Sequence, residues 1–380
     1  MTAGGPTELR GGVLPRIPGP DSVREALDRT DPLPGTGGFA GSFDGRLVRD
    51  VLGRRPLYTD GEDWAFSPAD LDDPTLFPAG TIDDDGGREQ VWELPVPDPE
   101  SDHDPALEAV DRALAESVAD VPAEGTAVAF SGGVDSALLA AFLDVPLYVA
   151  GFPGSHDIEA ARSAAAAMGR EGELTVVELT HGAVERALPK LVPAIDRANA
   201  MDLGIALPLY LTAERAREEG HDRLALGQGA DELFGGYEKV ATLDGRVEAT
   251  TVRGAVREQV LGLPDELPRD VLAVEAAGVR PVAPYLHDRV IGAALRLPPE
   301  LLVEGGGDGR RKIAFRRVAS RYLPGEVADR PKKALQYGSD ADRELDRIAR
   351  RAGYKRRIGN HVEAFVRARL RDDGATEADE

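Results

Sequence analysis

The segment best equipped for chemistry is Ser131-Gly132-Gly133-Val134-Asp135-Ser136. Two adjacent glycines let a backbone turn sharply and approach a ligand with no Cβ in the way. Successive N–H groups then point into one concavity, at the positive end of the helix that follows. Such a cradle suits a phosphate or pyrophosphate, and Ser131 and Ser136 add hydroxyl donors. Asp135 fits beside an anion when a divalent cation such as magnesium bridges the two. The loop lacks the lysine of Gly-x-x-x-x-Gly-Lys-Ser/Thr and so is a different phosphate loop. A second candidate is Gly227-Gln228-Gly229-Ala230-Asp231-Glu232, another glycine loop that opens a helix. If both loops face one nucleotide, Asp231 is a second metal ligand. Plain helix capping is the structural alternative for both segments, so the surrounding elements must decide.

Those elements alternate. Residues 126–130 read as an apolar strand running into the first loop, and 136–143 as the helix after it. Residues 145–150, 174–179 and 223–226 read as further strands, with helices over 157–168 and up to 219 between them. This pattern predicts an α/β fold, a parallel sheet with helices on both faces. Ligands of such sheets sit beyond the carboxyl ends of the strands, which places both glycine loops on one edge. Residues 104–119 form an amphipathic helix with Leu107, Val110, Leu114 and Val118 on one face. Residues 37–95 alternate and carry Asp-Gly turns, so antiparallel hairpins are expected. Residues 1–36, rich in Gly, Pro and charge, are expected to be poorly ordered, and 96–105 to be a linker. The main catalytic unit then spans 106–370 and is mostly helical after residue 231. An acidic, disordered tail is expected at 371–380.

The chain of 380 residues has a formal net charge of −22 and no cysteine. Only six of its 45 basic residues are lysine. An acidic, lysine-poor surface looks salt-adapted, and it argues against general binding to nucleic acid. Without cysteine there is no disulfide, thiolate zinc site or thiol nucleophile. No apolar run of membrane-spanning length and no signal-peptide pattern is visible, so a cytoplasmic location is expected.

The two loops in this order resemble the synthetase domain of the asparagine synthetase family, whose ATP pyrophosphatase fold is of the adenine nucleotide alpha hydrolase type. The resemblance covers roughly residues 104–345. Gly151-Phe152 with Ser155 and Asp157 looks like the family's adenine-side loop, and Pro284-Tyr285-Leu286 like its Pro-Phe-Leu segment. Lys312 and Arg330-Pro331-Lys332-Lys333 follow, so three of the six lysines fall between 312 and 333. A lysine there can stabilise charge on phosphate or on a tetrahedral intermediate. The resemblance implies ATP binding by Ser131, Gly132, Gly133, Asp135, Ser136, Gly151, Asp157, Gly227 and Gly229, and magnesium on Asp135 and Asp231. It gives catalytic roles to Lys312, Lys332 and Gln228, and substrate contacts to Asp231, Glu232 and Arg280.

Residues 37–85 are similar to the later half of the family's glutaminase domain, through Arg49-Asp50-Val51-Leu52-Gly53 and Pro56-Leu57-Tyr58. The earlier half and its cysteine nucleophile have no counterpart, so this region is expected to be a supporting remnant without glutaminase activity. Two departures touch the acceptor side. Gln228 replaces the usual glutamate, and an amide cannot act as a base. Arg280, Val282 and His287 stand where the family has Glu, Arg and Asp. The implied function is AMP-forming ligation of a small carboxylate, aspartate first, with ammonia or an amine, using ATP and magnesium. A separate ammonia-supplying protein and a homodimer fit that reading. The alternatives are adenylation of another carboxylate or of an RNA base carbonyl, and a non-catalytic ATP-binding regulator.

Overall fold

The computed structural model of the chain describes residues 7–14, 18–84, 86–305, 309–330, 340–356 and 359–377. The amino-terminal part is antiparallel. Strands β1 (Glu8–Gly11), β2 (Phe39–Phe43), β3 (Arg46–Arg49), β7 (Thr81–Asp84) and β8 (Gly87–Gln90) form one sheet in the order β1-β2-β3-β7-β8. Strands β4 (Tyr58–Thr59), β5 (Trp64–Ala65) and β6 (Thr75–Leu76) form a small second sheet. The expected hairpins are therefore present.

Part of 1–36 is ordered, contrary to the composition-based expectation. Strand β1 pairs with β2 along its whole length. A helix, α1 (Pro20–Arg29), buries Val23 and Ala26 and offers the Ala26 carbonyl to the Trp92 indole at 3.3 Å. Pro20 opens that helix, a position where its missing N–H costs nothing. Gly and Pro here punctuate structure rather than dissolve it.

The linker is pinned. Arg257 donates to the Leu94 and Pro95 carbonyls, and Arg253 to that of Pro97. Helix α2 (His103–Ala119) follows, capped by the Asp102 carboxylate, with Leu107, Val110, Leu114 and Val118 buried as expected.

Strand β9 (Thr126–Ala129), α3 (Val134–Phe142), β10 (Leu147–Gly151), α4 (His156–Ala167), β11 (Leu174–Glu178), α5 (His181–Ile195), α6 (Ala200–Glu218) and β12 (Arg223–Ala225) come next. Then follow α7 (Ala230–Phe234), α8 (Glu238–Thr242), α9 (Val252–Ala276) and β13 (Arg280–Val282). The second five-stranded sheet runs β11-β10-β9-β12-β13, all parallel. Successive side chains of a strand face opposite sides. Val128, Leu147, Val149 and Ala225 accordingly join a core with α3 and α4, while Ala127, Tyr148 and Leu224 join one with Ala213 and Ala216 of α6. The sheet is thus covered on both faces, as the βαβ pattern demands.

Among the described residues the α-helices that follow are α10 (Asp288–Ala294), α11 (Ile313–Ala319), α12 (Gly325–Ala328), α13 (Ala341–Arg351) and α14 (His361–Glu377). Helix α14 runs into the stretch expected to be a disordered tail, so the polar composition of 371–377 does not end the helix.

Candidate active site

Strand order reverses between β9 and β12: the first strand of the sheet has the second on one side and the fourth on the other. Such a switch point leaves a crevice at the carboxyl ends. The register pairs Val128 with Ala225, so the two strands end level and their loops leave side by side. A Cβ built on Gly227 would sit 3.0 Å from the Asp135 Cβ, which shows how closely the loops approach. In the first loop Gly132 has φ 73°, and a Cβ there would lie 2.4 Å from the Ala160 carbonyl oxygen. Only glycine lets this loop lie against α4. Gly133 opens α3, and Ser136 donates to its carbonyl at 3.2 Å. Ser131 Oγ lies 3.3 Å from Ser136 Oγ, so both hydroxyls cluster at that helix start.

Lys312 ties the two loops together. Its Nζ lies 2.7 Å from both Asp135 carboxylate oxygens and 2.6 Å from Asp231 Oδ1. The side chain is 2% exposed. Burial works against its charge, but Asp135 and Asp231 outweigh that and hold it above the ordinary lysine value. The backbone turns through φ 57° at Lys312 to send the side chain inward. That left-handed conformation is unfavourable for a non-glycine residue, so the surrounding contacts must hold it. Gly236 passes so close that a Cβ there would collide with Asp231 and Lys312.

The cavity in front of this triad has a volume of about 340 Å³. Arg310, Arg311, Lys312, Arg316 and Arg330 line it, against Asp135, Asp157 and Asp329. A cation-rich wall in a chain of net charge −22 marks a pocket for an anion, because the field of the rest of the molecule repels one. Arg330 also braces the cradle, donating to the Ala160 carbonyl at 2.7 Å and to Ser163 at 2.8 Å.

Asp157 reaches the same cavity from the first turn of α4. Burial, then the charge of Asp340, pushes its carboxyl up to about 7. A raised carboxyl supplies stability that is complete below its unfolded pKa and lost as pH climbs through the folded one. The ligand-free protein should therefore lose stability on this account between about pH 4 and pH 7. Asp157→Asn should remove that loss and stabilise the chain at pH 8 by on the order of 3 kcal/mol, with little effect at pH 4. Urea unfolding at the two pH values checks it. Equal stabilisation at both would mean that Asp157 is not the titrating group.

Other expected site residues lie elsewhere. Gly151 supports α4: a Cβ there would meet Ser155 Oγ at 2.3 Å. Gly229 adopts φ 91° at the start of α7. Gln228 does not line the cavity; its amide donates to Asp270 of α9. Glu232 is buried behind Asp231, bonded by the Tyr237 hydroxyl. Burial, then the Asp231 charge, raises its carboxyl to about 6. Arg280, expected to contact substrate, is exposed and opens β13 opposite Arg223. That is the amino end of a parallel strand, so the residue faces away from the loops. His287 has a structural role here. Burial and the nearby Arg289 and Arg54 push it down to about 4, and its neutral Nδ1 accepts from the Arg289 amide to cap α10. Lys332 and Lys333 lie outside the described residues.

The sequence reading missed Arg310, Arg311 and Arg316, whose only signal was a basic run in an acidic chain. It also missed what Tyr285 does. The buried Tyr285 hydroxyl donates to the Asp135 carbonyl at 2.9 Å and so fixes the loop from below.

Sheet order and paired glycine loops define an α/β domain with an arginine-lined pocket at the carboxyl edge of its parallel sheet. The family model for asparagine synthase matches residues 107–262 and 247–374, and the chain belongs to that family. It is similar to a glutamine-hydrolysing asparagine synthetase 1 of Methanocaldococcus jannaschii, with 30% identity over 70% of this chain and 56% of that protein. It is also similar to asparagine synthetase B of Escherichia coli, with 26% identity over 56% of this chain and 41% of that one. Asparagine synthetase 2 of Oryza sativa shows 26% identity over 77% and 54%. The chain spans about half the length of these curated relatives.

Proposed function

We propose that this chain is an AMP-forming carboxylate–amine ligase, with aspartate and ammonia as its first candidate substrates. The observation that carries the proposal is the convergence of Asp135, Asp231 and Lys312 where two glycine loops meet, in front of an arginine-lined cavity. In this reading a substrate carboxylate oxygen attacks the α-phosphorus of ATP and pyrophosphate leaves. An amine then attacks the acyl carbon and AMP leaves. The loop N–H groups and Arg330 hold the leaving pyrophosphate, and Lys312 offsets charge that builds on the phosphate oxygens.

Asp135 and Asp231 offer oxygen donors on one point, and magnesium needs only one or two carboxylates when phosphates supply the rest. Magnesium would then enter with ATP, and when bound it would neutralise phosphate charge. Lys312 bridges the same two carboxylates. The amine source in this reading is free ammonia, ammonia from another protein or the substrate's own amine; these 380 residues contain no cysteine to act as a glutaminase nucleophile.

ATP–pyrophosphate exchange at high salt, screened across carboxylic acids, tests the proposal. Exchange that depends on aspartate, with asparagine formed from ammonium and none from glutamine, is the expected result. Exchange with another acid alone would remove aspartate but keep the class. No exchange with any acid would remove the class.

A further inference from the structure

The amino-terminal layer and α9 frame a second cavity, of about 270 Å³, that shares no lining residue with the catalytic one. Strand β1 supplies one wall. Leu9 packs against the core, so Glu8 and Arg10, on either side of it, face the other way. They line the cavity together with Trp64, Phe66 and Asp70, from β5 and the turn after it, and with Glu275 of α9.

Two arginines meet at one ring. The guanidinium carbon of Arg10 lies 4.2 Å from the Phe66 centroid, and that of Arg55 lies 5.3 Å from it. The negative face of a ring attracts a cation, which holds both side chains there. Their charges are balanced differently. Arg55 is buried, and its two terminal nitrogens bond the Glu275 carboxylate. Arg10 is exposed, and among the described residues its guanidinium makes no ion pair. Glu8 and Asp70 are exposed too, and among the described residues neither side chain has an ion-pair partner. The cavity therefore carries a cation and two anions that do not meet.

Opposite charges that share a cavity without pairing complement a zwitterion. A ligand with a carboxylate and an ammonium on adjacent atoms satisfies both signs, which a simple anion or a simple cation does not. Trp64 stands edge-on to Phe66 at 5.4 Å and is partly exposed, so it offers an apolar surface to a side chain. We propose that this cavity binds a free α-amino acid, with its carboxylate on Arg10, its ammonium on Glu8 and Asp70, and its side chain against Trp64. The ligand would clamp the amino-terminal layer to α9, because the cavity draws its walls from both. The proposal does not rest on the ligase reading, since the catalytic cavity is elsewhere.

Thermal unfolding without ATP, with each of the common amino acids in turn at millimolar concentration, tests the proposal. A ligand that binds only the folded chain raises the melting temperature by mass action. At least one amino acid should do so. Its affinity should fall about tenfold or more in Arg10→Gln and in Asp70→Asn, the scale of one lost charged hydrogen bond. Both positions are exposed, so the fold is not at stake. Lys312→Met, which alters the catalytic cavity, should leave that affinity unchanged. The matching amine without a carboxylate, and the matching acid without an amine, should each bind about tenfold more weakly or worse. No shift with any amino acid overturns the proposal. So does binding that survives Arg10→Gln and is lost in Lys312→Met, which would place the amino acid in the catalytic cavity. Equal binding of the acid without its amine would make this an anion site and overturn the zwitterion assignment. Exchange activity enters none of these readouts, so failure of the ligase reading leaves the test intact.

Discussion

Lys312→Met should cut ATP–pyrophosphate exchange by roughly 100- to 1,000-fold, the scale of losing one preorganised charge at a reacting centre. Methionine nearly matches the lysine stem in volume, so the change removes charge more than packing. It leaves Asp135 and Asp231, both within 2.7 Å of one ammonium in the present structure, as like charges with nothing between them. Two carboxylates so placed repel, and one of them takes up a proton more readily. A second readout separates this role from a folding defect. With the ammonium gone, the paired carboxylates should bind magnesium without nucleotide, so magnesium alone should raise the melting temperature of the variant but not of the unmodified chain. Exchange within tenfold of normal in a folded variant would show that Lys312 is a structural tie only.

Arg54→Ala should be the most destabilising single change in the amino-terminal layer. Arg54 is fully buried. Its Nε donates to Asp50 at 2.8 Å, and one terminal nitrogen donates to Asp288 at 2.6 Å and to the Leu286 carbonyl at 2.8 Å. Asp288 also accepts from the Thr36 amide at 2.7 Å. The guanidinium thus joins the amino-terminal sheet to the start of α10. Removing it strands two buried carboxylates, which costs about 3–5 kcal/mol. For a chain of this size that corresponds to a drop in melting temperature of roughly 5 °C. Arg54→Lys keeps the charge but loses the fork, so it should fall between. The effect should also reach the active site, because Leu286 adjoins Tyr285, whose hydroxyl holds the Asp135 carbonyl. Loss of less than about 1 kcal/mol in urea unfolding would mean that the layers do not depend on this triad.

The Arg54 contacts give the amino-terminal layer a physical role. Arg54 reaches the segment beneath the first loop, and Arg49 caps the carbonyl that Pro268 leaves unpaired in α9. The sheet that resembles part of a glutaminase domain is therefore a brace for the catalytic unit.

Much of the site was legible in the residues themselves, because it is local. Ser131 to Ser136 and Gly227 to Glu232 each sit between a strand and a helix, so backbone geometry alone aims them at the carboxyl edge of the sheet. The apolar runs at β9, β10 and β12 and the alternation around them imposed the parallel sheet, since strands buried on both faces need helices between them. What the residues could not show was which charges meet. Lys312 lies 177 positions from Asp135, and the left-handed turn that aims it inward leaves no mark in composition. Arg280 looked like a substrate contact until its place at the amino end of β13 put it on the far edge. His287 is drawn into the fold, where its ring nitrogen caps α10. Asp270 carried no signal, because its partner Gln228 is brought to it only by the packing of α9 under the second loop. Sequence determined the loops and the sheet through short-range geometry and hydrophobic pattern. Only the tertiary structure decided which side chains share the site, because charge pairing over long separations depends on burial and distance.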